Sequence, residues 1–413
     1  MSEDGYYVVA VTDDKAVHVF ENNEGELTEV SRRSMPKRPC AVQILPDSTA
    51  VLIADKFGDV YSLPLIPSED EEEAAAAQEP QPEATWKPSA NNLTVHSQRN
   101  LKVLEAQAKQ KNFTPRKEPL KFKHDLLLGH VSMLTDMKYV TTQEGEKERG
   151  HIITADRDEH IRISRGPPQA HIIEGYCLGH TEFVSKICQV GETDLLVSGG
   201  GDGWLGLWDW RQHKLLKRVD LLQHVRETPG HKKDEQLVVS GIWSIAMDTS
   251  RGMGIEDVVI VACEKVKALY LFPMSYLMAD PSKLAESGSA EAHIMKLVFE
   301  GCPLDVVSID ESAIVSVDYR EEGKESCRLQ IFWLRKKGAA NDPRWSTILV
   351  EEVTQYDLKA LNERKGPEDG FDPKDVDGLL YGLTDMRKRR DAQEGGENAE
   401  GDQAQPQEQP QAA

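Results

Sequence analysis

Residues 179–209, GHTEFVSKICQVGETDLLVSGGGDGWLGLWD, decide the fold. A Gly-His pair opens the stretch, Ser198 closes the second of three short apolar runs, Asp202 sits in a Gly-rich tight turn and Trp208 ends the third run. Runs of this length, separated by turn residues, read as antiparallel strands. The polar residues then have a structural use. A buried imidazole at His180 can donate to Asp202 and accept from the Ser198 hydroxyl, fixing the strand register and leaving no buried polar atom stranded. A Ser, a His and an Asp at this spacing therefore do not indicate a hydrolase, and no nucleophile elbow accompanies them.

A single unit of this kind cannot bury its own faces, so copies are required. Aligned on the turn, ADRDEHIRIS at 155–164, GGGDGWLGLW at 199–208, CEKVKALYLF at 263–272, VTDDKAVHVF at 11–20 and ADKFGDVYSL at 54–63 share one register. Each has an aliphatic residue three places past the turn: Ile161, Leu205, Leu269, Val17 and Val60. A sixth third strand is expected at Leu329 to Trp333, and a seventh unit from Trp345–Val353, closed by the N-terminal strand. These are WD repeats, and the expectation is an all-β WD-repeat propeller of seven blades. The polar set His180, Ser198, Asp202 and Trp208 has a counterpart one repeat earlier in His130, Thr154 and Asp158.

Composition divides the chain. N-terminal blades over 1–66 give way to an insertion over 67–123, whose first part, PSEDEEEAAAAQEPQPEAT, has seven acids and no bases. Its second part is basic, with Lys102, Lys109, Lys111, Arg116, Lys117, Lys121 and Lys123. The remaining blades span 124–362, a C-terminal extension with helical character 363–390, and an acidic tail 391–413. The acidic parts of the insertion and the tail have too few large apolar groups to offset the entropy of ordering, so both are expected to be disordered. They supply about thirteen of the formal net charge of −21, leaving a mildly acidic folded part. Six cysteines are scattered without a C-x-x-C pair, so neither a disulfide framework nor a zinc site is suggested. No apolar run approaches a membrane span, and MSEDGYYVVAV lacks a basic region followed by an apolar run. The expected compartment is the nucleus, with the cytoplasm also open. A basic cluster at Arg387, Lys388, Arg389 and Arg390 reads either as a nuclear import signal or as the charged end of a helix.

Other motifs reduce to architecture. Gly201, Gly203 and Gly206 spell G-x-G-x-x-G, but a strand follows rather than a helix, so they serve the turn and not a dinucleotide. His224 and His231, beside Lys232 and Lys233, have no metal-ligand spacing to a carboxylate or cysteine and read as solvated loop residues. No phosphate loop, paired-carboxylate site or methyl-donor motif is present, and no metal or cofactor is expected.

The block LLLGHVSMLTDMKYV, HIITADRDEHIRIS, IIEGYCLGHTEFVSKI, LLVSGGGDGWLGLWDW over 126–210 resembles the non-catalytic WD-repeat subunit of the eukaryotic tRNA (guanine 7-methyl) methyltransferase. The resemblance implies a heterodimer in which a separate subunit binds the methyl donor and forms 7-methylguanosine in the tRNA variable loop. The present chain would stabilise that enzyme, and tRNA would be held mainly through the partner. Lys186, six residues past His180 and between Val184 and Ile187, is the first candidate for partner contact, because the family's corresponding basic residue pairs with an acid of the methyltransferase. Arg157, Glu182 and Lys265 follow; Arg157 and Lys265 occupy equivalent repeat positions. Without the resemblance, two other readings stand. One is a generic WD adaptor, such as a ubiquitin-ligase receptor or ribosome-assembly factor; the other is direct RNA binding through the lysines of 99–123. The net-acidic surface disfavours the second, since phosphate affinity needs clustered cations.

Overall fold

The computed structural model describes residues 1–68, 122–145, 147–226, 228, 236–248, 255–279, 294–309, 312–319, 328–336, 348–352 and 373–388. Within them the strands form six antiparallel sheets, five of four strands and one of three. They follow the chain as blade 1 (7–34), blade 2 (39–64 with 125–129), blade 3 (134–177), blade 4 (184–220), blade 5 (239–298) and blade 6 (302–352). Blade 4 shows the plan: Val184–Gln189 pairs with Leu195–Gly200, which pairs with Trp204–Asp209, which pairs with Lys214–Asp220. Its inner strands are nearly all buried, whereas every second residue of the outermost strand KLLKRVD is exposed. That is the pattern of a sheet covered on both faces near its centre and solvated at its edge.

Five apolar clusters lie among the described residues, each between consecutive blades. The one between blades 4 and 5 joins Val197, Leu205 and Leu207 to Val259, Val261 and Tyr270. The clusters joining blades 3 to 4 and 5 to 6 are built in the same way, around Trp208 with Ile153 and around Ile260 with Val315. Side chains of the innermost strands add polar stitches. Gln43 exchanges two hydrogen bonds with the Tyr139 backbone, at 2.7 and 3.0 Å. Thr135 donates to the Val184 carbonyl at 2.6 Å, and Asp136 accepts from the Ile187 N–H at 3.0 Å. Ser185 donates to the Val239 carbonyl, and Trp243 to Asp305 at 3.0 Å.

Two expectations are corrected. Six sheets are seen among the described residues, not seven: Ile348–Glu352 pairs with Leu329–Lys336 as the outermost strand of blade 6, so this apolar run completes a blade instead of starting another. Among the described residues blade 1 has three strands, and the first of them, Tyr7–Val11, leads directly into the turn ahead of Ala16–Asn23. His224 is likewise not in a solvated loop. It lies on a short helix, Leu221–Arg226, half-buried and edge-on to Phe272; His231 falls outside the described residues. The same holds for residues 69–121, Trp345, Val353, the acidic tail, Arg389 and Arg390. No helix of the described residues is long and apolar enough to cross a membrane.

Candidate partner-binding rim

In blade 4, His180 donates from Nδ1 to Asp202 at 2.7 Å and meets the Ser198 hydroxyl through Nε2, also at 2.7 Å. Trp208 Nε1 donates to the same hydroxyl at 2.7 Å, so Ser198 joins the imidazole and the indole in one hydrogen-bonded cluster. Burial alone would raise the Asp202 pKa, but donations from His180 and Thr181 outweigh it and hold the carboxyl below its usual range. The Trp204 ring stacks on the imidazole at 4.4 Å and Ser198 is fully buried, so no substrate can approach the hydroxyl. The chain of Ser, His and Asp is a strand lock, not a nucleophile. Gly206 is part of it: a Cβ there would stand 2.5 Å from Trp208 Nε1.

Blade 3 repeats the arrangement with one correction. His130 meets Thr154 at 2.9 Å, but its acidic partner is Asp156, at 3.3 Å, and not Asp158. Asp156 ends the second strand, where its carboxylate also accepts the Asp158 and His160 N–H groups across the turn. Asp158 sits at the tip, 3.1 Å from Lys388 Nζ, and that hydrogen bond lowers its pKa.

The turns between second and third strands share one rim with the entrances of the innermost strands. Lys186 is half-buried there, on the wall of a cavity of about 570 Å³ with Arg38, Cys40, Lys56 and Arg157. Burial, aided by Asp136 and Asp55, pushes the Cys40 thiol up to about 12, which rules out a thiolate at neutral pH. The other side of the cavity is made by the C-terminal segment. The helix Pro373–Leu380 and a 3₁₀ turn, Thr384–Met386, carry this segment over the rim. Tyr381 donates to Asp318 of blade 6 at 2.6 Å. Glu264 of blade 5 accepts the Leu383 and Thr384 N–H groups and the Thr384 hydroxyl at 2.8, 3.1 and 2.5 Å.

Three of the four expected partner residues are engaged by this segment. Arg157 donates to the Met386 carbonyl at 2.7 Å and to that of Arg387 at 3.5 Å. Glu182 pairs with Arg387 at 3.4 Å, and Lys265 Nζ lies 6.0 Å above the Tyr381 ring. Lys186 is brought near them but bonds to none of the segment. Arg387 is an anchor: it reaches the Gly201 and Leu237 carbonyls at 2.6 and 2.9 Å, spanning blades 4 and 5. Lys388 pairs with Asp158 and Glu159. The structure thus places two members of the basic cluster on the rim, beyond the end of the helix. Sequence reasoning missed Glu264, Asp318, Tyr381 and Thr384. A signal for the acids was present, since Asp55, Asp156, Glu264 and Asp318 recur at or just past the end of the second strand. Among the described residues no group of His, Cys, Asp and Glu is arranged to hold a metal ion.

Residues 1–331 match the family described as "tRNA methyltransferase TRM82 WD40 domain". The chain belongs to this family. A protein of Phaeosphaeria nodorum named tRNA (guanine-N(7)-)-methyltransferase non-catalytic subunit TRM82 is 41% identical, over 95% of this chain and 83% of its own length. Proteins of the same name from Aspergillus oryzae and Coccidioides immitis are 38% and 36% identical, covering 93% and 94% of this chain and 76% and 77% of their own. The family members are thus WD40 propellers named as subunits without catalytic function, and a blade lock closed to substrate is the arrangement expected of one.

Proposed function

We propose that this chain is the non-catalytic subunit of a tRNA (guanine-N(7)-)-methyltransferase, a rigid scaffold that binds and stabilises a separate catalytic subunit. The observation that carries the reading is the extent of the match: relatives named as that subunit align along nearly the whole chain. The geometry supports it. Stitched blades give an inextensible platform, and the rim presents charged side chains that the core does not use. The partner binds the methyl donor, holds most of the tRNA and methylates a guanine of the variable loop; Lys186, with Arg157, Glu182 and Lys265, faces a carboxylate-bearing surface of the partner. Nuclear residence is proposed on the basic cluster 387–390, of which Arg387 and Lys388 are seated on the rim.

The test is methyl transfer to tRNA by this chain alone, by the catalytic subunit alone and by the two together. The expected result is no activity from this chain alone and the highest activity from the pair. Transfer by this chain alone, or a pair no more active or stable than the catalytic subunit, overturns the proposal.

A further inference from the structure

The contacts of residues 381–388 are of a kind that a peptide ligand makes with a receptor. A tyrosine hydroxyl finds Asp318, two consecutive backbone N–H groups and a threonine hydroxyl share the Glu264 carboxylate, and a guanidinium finds the Gly201 and Leu237 carbonyls, on blades 6, 5 and 4 to 5. Blade 3 answers in the opposite sense, its Arg157 donating to the segment's carbonyls. Glu264 is nine-tenths buried and is held by the segment at three points. The contacts join residues 63 to 230 positions apart, so they are tertiary seating and not local turn structure.

We propose that this rim is a peptide-binding groove whose resident ligand is the chain's own segment 381–388, and that the segment competes with the methyltransferase subunit for it. The second half rests on the reading that the partner uses Arg157, Glu182 and Lys265. Those side chains are spoken for while the segment is seated. Lys186 lies in the cavity that the segment roofs, so a partner carboxylate reaches it fully when Leu383 and Met386 move away. The groove's recognition chemistry is defined by its acceptors: Asp318 for a hydroxyl, Glu264 for a pair of free N–H groups, and the Gly201 and Leu237 carbonyls with Glu182 for a guanidinium. A segment seated nine parts in ten weakens a competing partner about tenfold, because only the open fraction binds.

The experiment uses the full chain. Backbone amide exchange over 381–388 is measured for the parent, Arg387→Glu and Thr384→Glu; both substitutions set a carboxylate against Glu182 or Glu264. The catalytic subunit is then titrated against each, with a melting curve as the folding control. Expected are slow exchange of the Leu383 and Thr384 amides in the parent, at least tenfold faster exchange in both variants, and about tenfold tighter partner binding by the variants. A synthetic peptide covering 373–390 should restore parent-like affinity when added to Thr384→Glu, and this holds even if Arg387→Glu fails to fold. Parent amides that exchange at the unprotected rate overturn the groove. Partner binding that is unchanged or weaker in Thr384→Glu, with the amides as protected in the complex as in the free chain, overturns the competition. If Lys186→Glu still weakens the complex in that case, the partner reading survives and only this inference falls.

Discussion

Blades 4 and 2 have the same four-stranded frame, and both slip register at one point on the first strand, between Val184 and Lys186 and between Pro39 and Ala41. They solve the problem of the buried centre differently. Where blade 4 has Ser198 and Trp208, the matching positions of blade 2 are Ile53 and Leu63, both fully buried. Blade 2 has Phe57 at the position of Asp202; its acid is Asp55, at the end of the second strand like Asp156 of blade 3, which accepts the Phe57 and Asp59 N–H groups through one oxygen while its other oxygen is buried without a hydrogen-bond partner. Burial therefore wins over those backbone bonds and raises the Asp55 pKa, whereas in blade 4 the hydrogen bonds win and lower that of Asp202. A complete polar lock turns a buried carboxylate into a stabilising group; an isolated one is tolerated at a penalty.

The largest expected effect uses a difference on the same strands, since the position of Lys186 in blade 4 is Ala41 in blade 2. Lys186→Glu should lower affinity for the catalytic subunit thirtyfold or more, in line with the ~2–5 kcal/mol typical of breaking a buried charge pair. The variant's melting curve should match the parent's. An unchanged dissociation constant would return Lys186 to the class of solvated surface charges.

Next in size is Asp202→Ala, which leaves the His180 Nδ1–H and the Thr181 hydroxyl without their acceptor and should destabilise the propeller by about 1–3 kcal/mol. A variant that melts like the parent would show that blade 4's lock adds nothing over the apolar solution of blade 2.

The pH dependence sharpens the contrast. The folded-state pKa of Asp202 is depressed, so its contribution is fully present above the unfolded value near 3.8 and is lost as pH falls through the lowered value. That of Asp55 is raised, so its penalty stands at neutral pH and is relieved as pH falls through the raised value. Melting profiles in acid should accordingly be flattened by Asp202→Asn and steepened by Asp55→Asn; the reverse ordering would break the comparison. At pH 7 the smallest effect belongs to Asp55→Asn, which keeps an acceptor oxygen for Phe57 and Asp59 while removing the charge. A change within about 0.5 kcal/mol, or a gain, is expected from calorimetry.

Blade 4 was legible because its chemistry is local: every member of the lock lies within thirty residues, at a spacing that only strand, turn and strand can satisfy. Blade 3 was legible except for the choice between Asp156 and Asp158, since ADRD offers two carboxylates and only the strand end settles which one turns inward. Blade number was misread at Ile348–Glu352, where an apolar run marks an outermost strand as readily as an inner one. The seating of 381–388 left no trace in the periodicity. Its donors are backbone N–H groups and single side chains, and their acceptors lie on other blades, too far along the chain for any pattern to register.

That separation also sets an order in time. Glu264 and Thr384 are 120 positions apart, so at the ~5–20 residues per second of synthesis the acceptor emerges roughly 6–24 s before its donors. Blades 3 and 4 are complete through that interval, and blade 5 from the emergence of Val298 onward, while their rim has no resident segment. A subunit that meets the nascent chain then finds an open groove, and one that arrives after release finds an occupied one.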